Sequence, residues 1–136
     1  MRILLDTSVI LAACSSTTGA SALIVEIARP EGWTLQVNPY AIDEVERNLG
    51  CMPGEPGDRW RTIKRRLAIV PNVLTVDRPV VFEAAKDRPI LYSALAFSDV
   101  LLTLDVADFG QLLGSTFYGL RVVRPADFLR RERLRR

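Results

Sequence analysis

Residues 2–8 read Arg-Ile-Leu-Leu-Asp-Thr-Ser, and the order of apolar and polar groups in this stretch decides the fold class. Ile3, Leu4 and Leu5 form an unbroken apolar run, the pattern of a parallel strand covered on both faces. The run stops at a carboxylate, Asp6, followed by the hydroxyls of Thr7 and Ser8. In open α/β sheets the functional crevice lies beyond the carboxyl ends of the strands, which is where Asp6 falls. Taken alone, Asp6 reads equally well as a helix cap. A second apolar run, Val100-Leu-Leu-Thr-Leu104, ends at Asp105 in the same way. Two strands that each deliver a carboxylate to one edge point to a built site.

Outward from these strands, the chain alternates helical and extended patterns. Ser8 is expected to cap a short apolar helix to about Ala13, and a second helix spans Ala22–Arg29, ended by Pro30. Trp33, Leu35 and Val37 alternate with polar residues as a strand does. Asn38 as N-cap and Pro39 at the first helical position start a helix that runs to about Leu49, with Gly50 placed to stop it. Residues 53–57 read as a loop, and Asp58 as the cap of a helix to about Ile69. That helix turns Trp60, Ile63 and Leu67 inward and Arg59, Arg61, Lys64, Arg65 and Arg66 outward. Val73–Val76 is a short strand, residues 77–86 a brief helical stretch, and Arg88–Phe97 a helix begun by Asp87. Asp99–Leu104 is the strand that ends at Asp105. A short helix Phe109–Leu113 behind Asp108, a strand Leu120–Val123 and a helix Pro125–Leu129 follow. The alternation predicts a three-layer α/β/α sandwich with a mostly parallel central sheet. One domain, residues 1–129, precedes a basic tail at 130–136.

Composition narrows the class. A chain of 136 residues with 49% hydrophobic and 25% charged side chains is a soluble globular domain's worth. No apolar run approaches the roughly 18–20 residues of a membrane span. The chain enters a strand without a signal-peptide layout, so a cytoplasmic protein is expected. Cys14 and Cys51 stand apart, without metal-ligand spacing, and read as idle thiols. The formal charge is +2, but the tail alone holds five Arg and one Glu, leaving residues 1–129 at −2. Any affinity for nucleic acid must therefore come from local patches. Histidine is absent, which excludes Ser-His-Asp and Cys-His nucleophiles, paired-His ribonucleases and His-ligated zinc. The remaining chemistry leans on carboxylates with a hard cation bound by oxygen.

Four stretches occur in the order of a PIN domain: Ile3-Leu-Leu-Asp-Thr-Ser-Val-Ile10, Pro39-Tyr-Ala-Ile-Asp-Glu-Val-Glu-Arg-Asn-Leu49, Asp87-Arg-Pro-Ile-Leu91 and Leu101-Leu-Thr-Leu-Asp-Val-Ala-Asp-Phe109. The ending Arg121-Val-Val-Arg-Pro-Ala-Asp-Phe-Leu129 also resembles that family's final strand and helix. The chain resembles the VapC-like toxins within it, nearly throughout except for the tail. The resemblance implies an endoribonuclease that acts on single-stranded RNA with Mg²⁺ or Mn²⁺ and leaves a 5′-phosphate and a 3′-hydroxyl. It also implies an antitoxin partner and a homodimer. The four motif acids map to Asp6, Glu44, Asp87 and Asp105. Ser8 and Thr103 match supporting polar positions, and Asp108 is read as a cap with an outer-shell role open to it. Leu104 departs from the pattern, which usually has Gly, Arg or another polar residue there.

Elementary electrostatics favours the same cluster. Two carboxylates about 4 Å apart repel by roughly 4 kcal/mol at an effective dielectric of about 20. Several of them converging without a cation must protonate or splay apart. A divalent ion removes that conflict and supplies hydrolytic chemistry. On the helix after Asn38, Glu44 borders the apolar stripe Ala41/Ile42/Val45 and looks back toward Asp6. Asp43 and Glu46 diverge from it by about 100° and 200° and read as solvated. Without the resemblance, Asp87 before Arg-Pro reads as a helix cap, Glu44 as a solvated residue, and the basic helix face as solvated too. Trp33 and Trp60 read as core. Competing functions are a catalytically silent PIN-like RNA-binding or interaction module and an Asp-dependent phosphatase. The phosphatase usually wants Asp-x-Asp, and position 8 is Ser.

Overall fold

A computed structural model describes residues 1–77, 82 and 85–135. Among the described residues six strands form one sheet in the order β3-β2-β1-β4-β6-β5. They are β1 (Arg2–Leu5), β2 (Thr34–Val37), β3 (Ala68–Ile69), β4 (Val100–Leu102), β5 (Ser115–Phe117) and β6 (Leu120–Val123). All adjacent pairs are parallel except β5 with β6. Among the described residues seven helices accompany them: α1 (Thr7–Ser15), α2 (Ala20–Glu31), α3 (Pro39–Asn48), α4 (Pro56–Lys64), α5 (Arg88–Phe97), α6 (Val106–Phe109) and α7 (Pro125–Leu134). The architecture is the expected mostly parallel α/β sandwich.

The apolar runs explain the layering. Successive strand residues point to opposite faces, yet Ile3, Leu4, Leu5, Val100, Leu101 and Leu102 are all fully buried. Helices must therefore cover both faces of β1 and β4. The chain leaves β1 toward β2 and β3, then returns to lay β4 on the other side of β1. This reversal of strand order opens a crevice at the carboxyl ends of β1 and β4. Asp6 and Thr103 follow those two ends, and the Asp6 N–H donates to the Leu102 carbonyl at 3.0 Å.

Several boundaries differ from the sequence expectation, each for a local reason. Asp6, not Ser8, caps α1, because its carboxylate accepts the Thr7 N–H. Helix α2 runs through Pro30 and stops at Gly32, whose φ of 75° is left-handed. The N–H groups of Gly32 and Trp33 close onto the Arg29 and Ala28 carbonyls, a Schellman ending that Gly accommodates without strain. Helix α3 gives way to a 3₁₀ turn, Leu49–Cys51, rather than to a left-handed Gly50. Helix α4 begins at Pro56, with Asp58 in its first turn, and ends at Lys64. The expected continuation to Ile69 is instead β3, and residues 73–76 form no strand. Edge pairing with β2 decides this, since Val70 N–H also donates to Val37.

Strand β4 stops at Leu102, where its partner β1 also ends. Asp105 rather than Asp108 caps the next helix, which spans Val106–Phe109 instead of residues 109–113. The unexpected β5 joins β6 through Tyr118 and Gly119, both at positive φ, as a two-residue hairpin of primed type requires. Helix α7 continues to Leu134, across the boundary expected at residue 129. Most of the helical stretch expected at 77–86 lies outside the described residues, although residues 85–87 form a 3₁₀ turn.

Glu46, expected to be solvated, accepts from Trp60 Nε1 at 3.2 Å and from Lys64 Nζ at 3.4 Å, tying α3 to α4. Glu46→Ala is expected to lower stability by about 0.5–1 kcal/mol, mainly through the unpaired indole N–H. Urea denaturation checks this, and an unchanged midpoint would mean that the contact contributes nothing.

Candidate metal centre

The site is assembled where β1 runs into α1, β4 into α6, and the 3₁₀ turn Ala85–Asp87 into α5. Asp6 is only 3% exposed. Its Oδ1 accepts the Thr7 N–H at 2.8 Å. Its Oδ2 accepts from the hydroxyls of Ser8 and Thr103, both at 2.7 Å. Both hydroxyls also accept a backbone N–H, Ser8 Oγ from Leu104 and Thr103 Oγ1 from Asp105, each at 3.0 Å. Ser8 and Thr103 thus join the two strand ends and fix the Asp6 carboxylate. Burial holds the Asp6 pKa above its ordinary value; the three donors and the nearby Asp105 charge have smaller and mostly opposing effects.

Asp105 caps α6 by accepting the Asp108 N–H on Oδ1 at 2.9 Å. Asp108 follows three residues later, so the first helical turn brings the two acids together. Asp87 enters from the other direction, at the start of α5, and makes no capping hydrogen bond there. The capping role that its sequence context suggests is therefore absent. One carboxylate oxygen from each of Asp87, Asp105 and Asp108 lies within 4.8 Å of the others.

This crowding is costly, and the protonation pattern reflects it. Asp87 is 5% exposed, and its Oδ2 has no hydrogen-bond partner among the described residues. Burial, the hydrogen bond with Asp108, and the charges of Asp6, Asp108 and Asp105 push its pKa up to about 8. Asp108 is held below the usual carboxylate range by its hydrogen bond from Asp87 and then by Lys86. The Lys86 ammonium lies 3.2 Å from Asp108 Oδ2. At neutral pH a proton on Asp87 and the Lys86 charge thus relieve part of the repulsion. A hard divalent cation would do the same more completely, and the all-oxygen donor set with an orphaned buried carboxylate oxygen fits one.

Glu44 stands apart from this triad. Its Oε1 accepts from Thr7 Oγ1 at 2.9 Å, which ties it to the residue next to Asp6. Tyr40, one turn earlier on α3, donates its hydroxyl to the Lys86 carbonyl. Burial raises the Tyr40 pKa, and the charges of Glu44 and Asp87 raise it further. Glu44 and Asp87 therefore act on one shared region. Asp99, at the far end of β4, pairs with Arg2 instead.

Of the acids singled out from sequence, Asp87 and Asp105 belong to the close triad, while Asp6 and Glu44 adjoin it through Thr103 and Thr7. Asp108, expected as a cap, is the triad's third member. Its spacing from Asp105, three residues along one helical turn, was the available signal. Lys86, Tyr40 and Thr7 carried none.

A family profile described as PIN domain matches residues 2–107. No curated protein matches the chain. Among solved structures, the chain is similar to one in the crystal structure of VapBC2 from Rickettsia felis bound to a DNA fragment from their promoter. The TM-score is 0.65 at 13% identity, over 90% of this chain and 97% of that one, so the likeness is one of fold. The profile spans both strand ends, Glu44 and the start of α5, and the chain belongs to the PIN domain family.

Proposed function

We propose that this protein is a Mg²⁺- or Mn²⁺-dependent endoribonuclease that hydrolyses single-stranded RNA. The observation that carries the reading is the convergence of Asp87, Asp105 and Asp108, one carboxylate oxygen of each within 4.8 Å of the others, together with a buried Asp87 oxygen that has no hydrogen-bond partner among the described residues. Asp87, Asp105 and Asp108, with Asp6 adjoining, would hold the cation. When bound, the ion would lower the pKa of a water and stabilise charge on the phosphodiester. To bind it, Asp87 gives up the proton that it otherwise keeps at neutral pH. Ser8 and Thr103 hold the Asp6 carboxylate in one orientation, which limits the reorganisation needed on binding. Glu44, held by Thr7 at one oxygen, is assigned the role of accepting a proton from the attacking water.

The likeness to a chain of VapBC2 supports a toxin's role with a protein antitoxin as partner, and family membership supports a homodimer. Among the described residues no single helix is long and apolar enough to cross a membrane, and a cytoplasmic location is part of the same proposal.

Purified protein is expected to cleave single-stranded RNA with Mn²⁺ or Mg²⁺ and to stop when EDTA is added. Cleavage that persists in EDTA, or none with either ion on varied RNAs, would overturn the reading.

A further inference from the structure

Arg124 follows β6 directly, at the same carboxyl edge of the sheet that carries Asp6 and Thr103. It is not one of the acids that define the site. With Arg130, one and a half turns along α7, it walls a groove of about 490 Å³ between the α1–α2 connection and the start of α7. The two guanidiniums are held by opposite oxygens of one carboxylate. Arg124 Nε meets Asp127 Oδ2 at 3.2 Å, and Arg130 Nη1 meets Asp127 Oδ1 at 3.3 Å. Both are thereby drawn toward one point of the groove, while the Arg130 side chain is 72% exposed and that of Arg124 53%.

Leu104 links the groove to the acidic site along the chain. Leu104 lines the groove, and its N–H donates to Ser8 Oγ, the hydroxyl that also holds Asp6. The next residue is Asp105. Leu104 is 42% exposed and Val106, on the other side of Asp105, is 55% exposed. Ser15 and Ser16 also line the groove, with Ser15 Oγ donating to the Ala12 carbonyl and Ser16 Oγ accepting the Thr18 N–H. A ligand that suits this arrangement carries repeated negative charge for the arginines, hydroxyls for the serines and flat apolar faces for Leu104 and Val106. A single-stranded RNA backbone has all three. Ordinary acidic peptide lacks the flat faces, and duplex would need a wider channel with both strands served.

We infer that the Arg124–Arg130 groove is the track for the RNA segment flanking the scissile phosphate, with the two guanidiniums on successive backbone phosphates. This rests on the nuclease reading for the position of the scissile bond, but not for the binding itself. The Arg-Asp-Arg unit orients the strand, and Leu104 passes it into the acidic crevice. The leucine that departs from the family pattern thus has a use, as a contact for a base at the mouth of the site.

The test is fluorescence anisotropy with a short fluorescein-labelled single-stranded RNA and full-length protein over a range of salt concentrations, with cleavage assayed in parallel. Arg124→Ala/Arg130→Ala is expected to weaken binding about tenfold and to lower the salt slope by about 1.4, the value for two lost single-strand phosphate contacts. Arg124→Lys/Arg130→Lys should keep most of the slope, which separates lost charge from misfolding. Arg29→Ala/Arg66→Ala removes the same charge beside Trp33 and Thr34, toward the opposite sheet edge, and should leave the slope unchanged. An unaltered slope in the groove variant, or an equal drop in the control pair, overturns the inference. So does a groove variant that loses an antitoxin but binds RNA normally. Arginine-dependent binding without any cleavage would keep the track and remove the nuclease.

Discussion

Asp105→Asn is expected to reduce RNA cleavage by about three orders of magnitude while leaving the fold intact. The asparagine retains an Oδ1 that can accept the Asp108 N–H, so the cap of α6 survives. What disappears is one negative charge from a triad whose oxygens lie within 4.8 Å. Metal-supplied stabilisation of the transition state amounts to several kcal/mol, and each 1.36 kcal/mol is a factor of ten in rate. Asp99→Asn is the control. It removes a carboxylate from the far end of the same strand, where it pairs with Arg2, and should leave the rate unchanged. Near wild-type turnover in Asp105→Asn, or an equal loss in Asp99→Asn, would remove Asp105 from the site.

The second large effect is on the stability of the protein without divalent ions. Asp87 has a folded pKa of about 8 against an ordinary 3.8, so the native state binds this proton more tightly than the unfolded chain does. Stability from this group is complete below the unfolded pKa and is lost as pH rises toward 8. Asp6, also raised by burial, acts in the same direction. Acids with lowered values, such as Asp99 and Asp108, lose their contribution only at more acid pH. In EDTA, stability should therefore fall by a few kcal/mol between about pH 4 and pH 8. Asp87→Asn cannot ionise and should flatten the profile, and Mn²⁺ should restore stability at the alkaline end. Urea denaturation across this range gives the answer, and coincident pH profiles for wild type and Asp87→Asn would contradict it.

The parallel sheet and its active edge were legible because the buried runs at residues 3–5 and 100–102 have no polar interruption until the residue that turns toward the crevice. Helix α3 was legible from its cap chemistry, Asn38 with Pro39, and the side chain of Asn38 does accept the Ala41 N–H. The terminations were less so. Pro30 looks like a stop, yet it sits late in α2, and the Schellman closure at Gly32 and Trp33 ends the helix instead. The β5–β6 hairpin was hidden because Tyr118 occupies the position where a primed turn usually shows Asn or Asp.

At the site, the residue types were readable but their partition was not. Helical phase gave Glu44 its direction. It could not show that Thr7 would hold Glu44 beside the triad, or that Asp105 would take the cap and leave Asp108 facing Asp87. The second outcome depends on where β4 ends, and pairing with β1 sets that point. Lys86 pairs across space with Asp108, a contact that its place in the sequence does not signal.

Anomalous diffraction from crystals soaked in Mn²⁺ tests the acidic centre most directly. An anomalous peak bounded by the carboxylates of Asp87, Asp105 and Asp108, with Lys86 displaced from Asp108, is the predicted result. Occupancy should disappear in Asp105→Asn crystals under the same soak. Full Mn²⁺ exposure with no peak at these carboxylates, and Lys86 still paired with Asp108, would contradict the metal centre.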